Sequence, residues 1–97
     1  MRFRFTAPLW EWRSRAEWFF VTLPDEASAD IAEVPRPPRG FGAVKVRVRV
    51  GGSSWSTSIF PDSAQGAYIL PVKKAVRTAE GLAEGGPVDV DLEVIGL

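Results

Sequence analysis

Hydrophobic and polar positions alternate along much of the chain. Val44, Val46, Val48 and Val50 alternate with Lys45, Arg47 and Arg49, and Val88, Val90, Leu92 and Val94 with Asp89, Asp91 and Glu93. A period of two predicts strands with one face buried. The same period predicts a strand from Arg2 to Trp10, with Phe3, Phe5 and Ala7 opposite Arg2, Arg4 and Thr6. It predicts another from Ser53 to Phe60, with Trp55, Thr57 and Ile59 opposite Ser54, Ser56 and Ser58. Gly51-Gly52 supplies a tight hairpin turn before that strand. The segment from Ala16 to Leu23, AEWFFVTL, is aromatic and β-branched on both faces. It predicts a strand covered on both sides, or covered on one and used on the other. Between it and the first strand, Glu11 to Arg15 is polar enough for a connection. Ala67 to Val72 predicts a further strand, broken or bent at Pro71.

Two stretches switch to helical spacing. Pro24 opens the first, Asp25 and Glu26 suit the positive end of its dipole, and Ala27, Ile31 and Val34 form the inner stripe to about Glu33. Pro35, Pro37 and Pro38 stop it, and PRPPRGFG reads as a stiff connector rather than an SH3-type ligand. The second helix is predicted from Lys73 to about Leu82, with Val72, Val76, Ala79 and Leu82 or Ala83 inward and Gly81, Gly85 and Gly86 ending it. About six strands and two short helices make the class mostly β. Helices this short fit a small β-barrel better than a layered α/β sheet.

Composition narrows the chemistry. Ninety-seven residues, 45% hydrophobic and 25% charged, allow one globular domain over 1–97. Twelve basic and twelve acidic side chains cancel, so no global field attracts nucleic acid or acidic lipid. The absence of cysteine removes disulfides and thiolate chemistry, and the absence of histidine removes the usual general base and zinc ligand. No cofactor, no metal and no catalytic residue is expected, and the expected class is not an enzyme. The first residues alternate charge and aromatic, unlike a signal peptide, and no apolar run approaches the ~20 residues of a membrane span. A cytoplasmic protein with no membrane association is the expectation.

The pattern also repeats. In halves of about 18–50 and 66–95, a strand ends at Leu-Pro (Leu23-Pro24, Leu70-Pro71), a short helix follows, then a glycine turn and a four-apolar strand. The charges of the two halves are opposite. The first helix is acidic (Asp25, Glu26, Asp30, Glu33) and its strand basic, whereas the second begins basic and its strand is acidic. The expectation is that the basic and acidic strand faces lie close together, where cross-strand pairs contribute about 0.2–1 kcal/mol each.

Candidate sites are few. Lys73, Lys74 and Arg77 cluster at the start of the second helix and oppose its dipole, so an anion or nearby carboxylates must compensate. Anion or nucleic-acid binding is one reading. A structural role is the other, with Glu80 and the acidic first helix supplying the carboxylates. Trp10 and Trp12 flank a turn beside Arg13 and Arg15 and form a possible surface contact, against packing over the barrel end. Trp18 and Trp55 are expected in strands and in the core. The serines at 53, 54, 56 and 58 have no plausible base. Asp89, Asp91 and Glu93 line one outer strand face, which is a solvated or ion-paired face more often than a cation site.

WFFVTLP at 18–24, VRVGGSSWSTSIFP at 48–61, GAYILPVKKAVR at 66–77 and GGPVDVDLEV at 85–94 resemble, in that order, segments of the domain-of-unknown-function family DUF nineteen-oh-five. The strand–Pro–helix–Gly–strand unit is also similar to the half-barrel of AbrB, MazE and MraZ transcription factors. The resemblance implies an internally duplicated double-split β-barrel in a single chain, and no activity, cofactor or catalytic residue. Gly86-Pro87 departs from the Gly-Asp of relatives, and the turn is expected to survive with one amide donor fewer. The reading that follows is a binding or interaction module for an unknown protein or small ligand, as monomer or weak homodimer. DNA or other nucleic-acid binding is the alternative, by analogy with the AbrB-like barrels.

Overall fold

The structure, a computed structural model, describes residues 1–34 and 42–96. The proline-rich connector lies outside them apart from Gly42. The elements in order are β1 (Arg2–Pro8), β2 (Trp10–Glu11), β3 (Phe19–Thr22), α1 (Asp25–Glu33), β4 (Val44–Val50), β5 (Ser53–Asp62), β6 (Ala67–Pro71), α2 (Lys74–Ala79) and β7 (Pro87–Val94). All neighbours in the sheet are antiparallel, in the order β1-β7-β4-β5-β6-β3-β2. The two ends of that order, β1 and β2, are consecutive in the chain and separated only by Leu9. The sheet therefore curls into a half-barrel, and the class is mostly β as expected.

Leu9 is where the first strand changes partner. Its N–H donates to the Gly86 carbonyl at 3.0 Å and its carbonyl accepts from the Gly85 N–H at 2.7 Å, while Trp10 already pairs with Phe20. The side chain is 1% exposed and joins a core made by the inward positions of every long strand, including Val46, Val48, Leu70, Val88 and Leu92. The turn around Gly86-Pro87 survives: Gly85 takes a φ of 83° and Pro87 begins β7 opposite Pro8.

The outer face of β1, β7 and β4 is a set of charge stripes. Arg47 stands opposite Glu93 and Arg49 opposite Asp91 across β4 and β7, as the opposite charges of the two strands predict. On the other side of β7, Arg2 stands opposite Glu93 and Arg4 opposite Asp91. The acidic strand thus lies between two basic ones. Arg2 donates from Nε and Nη2 to the Asp91 carboxylate at 2.9 and 2.8 Å, and Arg4 reaches it at 3.3 Å. Arg47 reaches Glu93 at 3.4 Å.

The hydrogen bond from Arg2 chiefly, with the positive charge of Arg2 and Arg4, holds the Asp91 carboxyl at about 2, against an ordinary 3.8. A depressed carboxylate contributes stability that is complete above its unfolded value and is lost as pH falls through the folded one. The stability of the native protein is therefore expected to fall between about pH 4 and pH 2, and Asp91→Asn to flatten the profile in that window. Urea unfolding at a series of pH values checks it, and identical slopes in the two proteins would refute it.

The helices pack on the curled sheet. Ile31 and Ala27 of α1 are buried, and the Ser28 hydroxyl accepts the Tyr68 N–H at 3.0 Å, which ties α1 to β6. α2 is shorter than the apolar spacing predicts, because a Schellman ending closes it: Gly81 takes a φ of 63° and the Leu82 N–H donates to the Arg77 carbonyl at 2.9 Å. Leu82 then packs against the core outside the helix.

Candidate binding groove

The groove begins where two strands part. β5 pairs with β4 from Ser53 to Ile59, but with β6 only through Phe60, Pro61 and Asp62, opposite Ile69, Tyr68 and Ala67. The cause is local chemistry. A two-residue turn, with a φ of 57° at Gly51, makes Val50 and Ser53 a hydrogen-bonded pair. By alternation, Ser54, Ser56, Ser58 and Phe60 then direct their backbone groups away from β4. After Phe60–Ile69 the next rung toward β6 would join Ser58 to Pro71, and proline has no N–H to give. Pairing stops there, and a groove of about 1450 Å³ opens between the strands.

Each wall comes from a different part of the chain. β5 and its neighbour supply Trp55, Ser56, Thr57, Ser58 and Lys45. Facing them are Phe19 and Phe20 of β3, then Pro71, Val72, Lys73, Lys74 and Arg77. The connection from Trp12 to Trp18 forms a rim that adds Arg15 and Glu17, and Phe60, Asp62 and Ile69 close the vertex. Lys73, Lys74 and Arg77 therefore meet Trp12 and Arg15 in one place. Trp10 and Arg13 do not line the groove. Trp10 lies beside it, stacked on Phe20 at 5.2 Å, and its Nε1 donates to the Thr22 hydroxyl at 2.9 Å.

Trp18 is a correction. It was expected in a strand and in the core, yet it lies outside β3 and is 44% exposed. Its carbonyl accepts the Trp12 N–H at 2.8 Å, so the residues between form a closed turn, with Glu17 at a φ of 68°. The two indoles meet at 5.8 Å, and the Arg15 guanidinium covers Trp18 at 4.5 Å. The predicted strand thus starts at Phe19 and is covered on both sides: Val21 is 0% exposed in the core and Phe20 4% exposed beneath Trp10 and Trp12. Trp55 is half-buried, packed on the core and open to the groove at once.

The cations of the groove form no ion pairs among the described residues. Among the described residues the ion pairs are those of Arg2, Arg4 and Arg47, all on the striped face. Glu80, expected to compensate Arg77, turns instead to the β4–β5 hairpin, where it accepts from the Gly52 N–H at 3.3 Å and the Ser53 hydroxyl at 2.7 Å. The acidic residues of α1 make none of these ion pairs either. Arg77 is fixed by other means: it lies 4.2 Å over the Phe19 ring and donates from Nη1 to the Val72 carbonyl at 2.6 Å. Arg15, Lys45, Lys73, Lys74 and Arg77 face two carboxylates, Glu17 and Asp62, across the groove lining. Among the described residues no cluster of three or more potential metal ligands occurs.

A family model described as a domain of unknown function (DUF1905) matches residues 5–92. The chain belongs to this family. No curated protein matches the sequence. The DUF1905 match runs from within β1 into β7 and so contains both walls, the rim and the vertex of the groove. Among the described residues, no helix is long and apolar enough to cross a membrane.

Lys45, Phe19 and Trp18 were not singled out as site residues from the sequence. Lys45 looked like one more outward charge in an alternating strand. The signal that could have found it is its register: it stands opposite Ser58, beside the rung that Pro71 prevents.

Proposed function

We propose that this DUF1905 chain is a non-enzymatic binding module whose ligand sits in the groove between β5 and the β3–β6–α2 wall. The observation that carries the reading is the convergence there of five cations that make no ion pair among the described residues and of the exposed Trp12 and Trp18 indoles. Such a lining favours a ligand with negative charge and flat or apolar groups, a protein segment or a small anionic molecule. The groove exceeds the roughly 300–1,000 Å³ of drug-sized sites, which favours an extended ligand. We read the barrel as a duplicated, double-split one in a cytoplasmic protein. The order β3–α1–β4 and β6–α2–β7, with β4 and β7 adjacent, supports the duplication.

Nucleic acid is the second reading, favoured by the same aromatic and basic lining, which suits unpaired bases better than a duplex. Arg2 and Arg4 count against it, since both are committed to Asp91 on the striped face.

Tryptophan emission tests the common premise, because Trp12, Trp18 and Trp55 line the groove. Titration with an acidic peptide, mixed-sequence single- and double-stranded DNA, and inorganic phosphate is expected to give saturable quenching by at least one probe, weakened by added salt. No response to any of them at low salt would overturn the reading.

A further inference from the structure

We infer that the groove takes an extended acidic peptide, which adds to β5 as an additional strand. The inference rests on the binding-groove reading and names its ligand.

The argument starts from the backbone. From Ser54 to Ser58, β5 has β4 on one side and no strand on the other among the described residues. The backbone N–H and C=O groups of Ser54, Ser56 and Ser58 point to that open side, and the groove lies against it. An unpaired edge of this kind is a template for another chain, and natural proteins blunt such edges with proline, inward charges or a covering element. Here the edge residues are serine, tryptophan and threonine, and the proline that splits the sheet lies on the opposite wall, in β6. Five residues is about the length of an ordinary strand, enough for a peptide to gain several main-chain hydrogen bonds.

The side chains specify the partner. A strand lying along β5 alternates its own side chains between the two faces of the sheet. One set would meet Trp55 and Phe19, and the other would run past Lys45 and the lysines that begin α2. Alternating acidic and apolar or aromatic residues satisfy both. Nucleic acid could use the rings and cations, but its backbone offers no N–H groups to the serine carbonyls.

The test uses the intact protein and a peptide of about eight residues that alternates glutamate with tyrosine or valine, beside the same peptide N-methylated at alternate amides and a thymidine oligonucleotide. The parent peptide is expected to bind, to protect the Ser54, Ser56 and Ser58 amides from hydrogen exchange, and to lose at least about tenfold in affinity on N-methylation. Ser56→Pro, which removes one edge donor, is expected to weaken binding similarly. Equal binding of the N-methylated peptide, or unprotected serine amides, would overturn strand addition while leaving the groove as a ligand site. Binding of the oligonucleotide alone would overturn the peptide in favour of nucleic acid. Protection of the same amides by self-association without peptide would assign the edge to a second copy of the chain. Silence of all probes would end both readings.

Discussion

Replacing Leu70 by alanine is expected to lower the unfolding free energy by about 2–5 kcal/mol, a large share of the roughly 5–15 kcal/mol that holds a small domain folded. Leu70 is 0% exposed and sits in β6 opposite Val21, between the buried Tyr68 and Val72. Two features keep the site from collapsing around the loss. β6 is only five residues long and is pinned to α1 through the Tyr68 N–H, and the residue after Leu70 is a proline with a fixed φ. On the side away from β5, β3 and then β2 are shorter still. Urea unfolding should show a lower midpoint with an unchanged slope. Ile95→Ala is the control: at 44% exposure it should change stability by no more than about 0.5 kcal/mol. A loss below about 1 kcal/mol for Leu70→Ala would mean that this end of the sheet is not tightly packed.

The long alternating strands were legible because a period of two has one physical meaning when four apolar residues recur on one face. Val44 to Val50 and Val88 to Val94 stand as read, and their opposite charges foretold that β4 and β7 are neighbours. The Gly51-Gly52 hairpin followed from turn chemistry in the same way. The Trp12–Trp18 connection was not legible. AEWFFVTL carries the composition of a strand throughout, and what cuts it at Phe19 is a backbone bond from Trp12 together with a left-handed Glu17. Nor was the groove. Pro71 could be seen to disturb β6, but which rung it removes depends on the register against β5, a non-local quantity. The basic residues of α2 stood out because all three were expected at the helix start, against its dipole. Lys73 and Lys74 are there, but α2 ends so early that Arg77 falls in its last turn, where a cation is favourable. That the carboxylate meant to balance them goes to a hairpin instead is a fact of tertiary packing.

That mismatch leads to the second large effect. Reversing both lysines, Lys73→Glu with Lys74→Glu, is expected to weaken binding of an anionic ligand by more than about tenfold while leaving the fold as stable as before or slightly more so. Both side chains are exposed, and neither takes part in an ion pair among the described residues. Lys73 caps α2 and Lys74 is its first residue, so each cation lies at the positive end of the helix. Glutamate at such positions typically contributes about 0.3–1 kcal/mol at low ionic strength, where lysine is unfavourable. In the groove the sign is opposite, since each reversal changes the charge met by a ligand carboxylate by two units. At a few ångströms, and in a solvent-like dielectric, one unit contributes on the order of 1 kcal/mol, so the pair suffices for the loss even after screening. Stability and affinity should therefore move in different directions. A lysine kept for folding could not behave so, because its reversal would lower both. Thermal unfolding and peptide titration of the same sample, at low and at physiological salt, separate the two cases: the difference in affinity should shrink with salt, while the melting temperature stays level or rises. A fall in melting temperature with unchanged affinity would return Lys73 and Lys74 to a structural role.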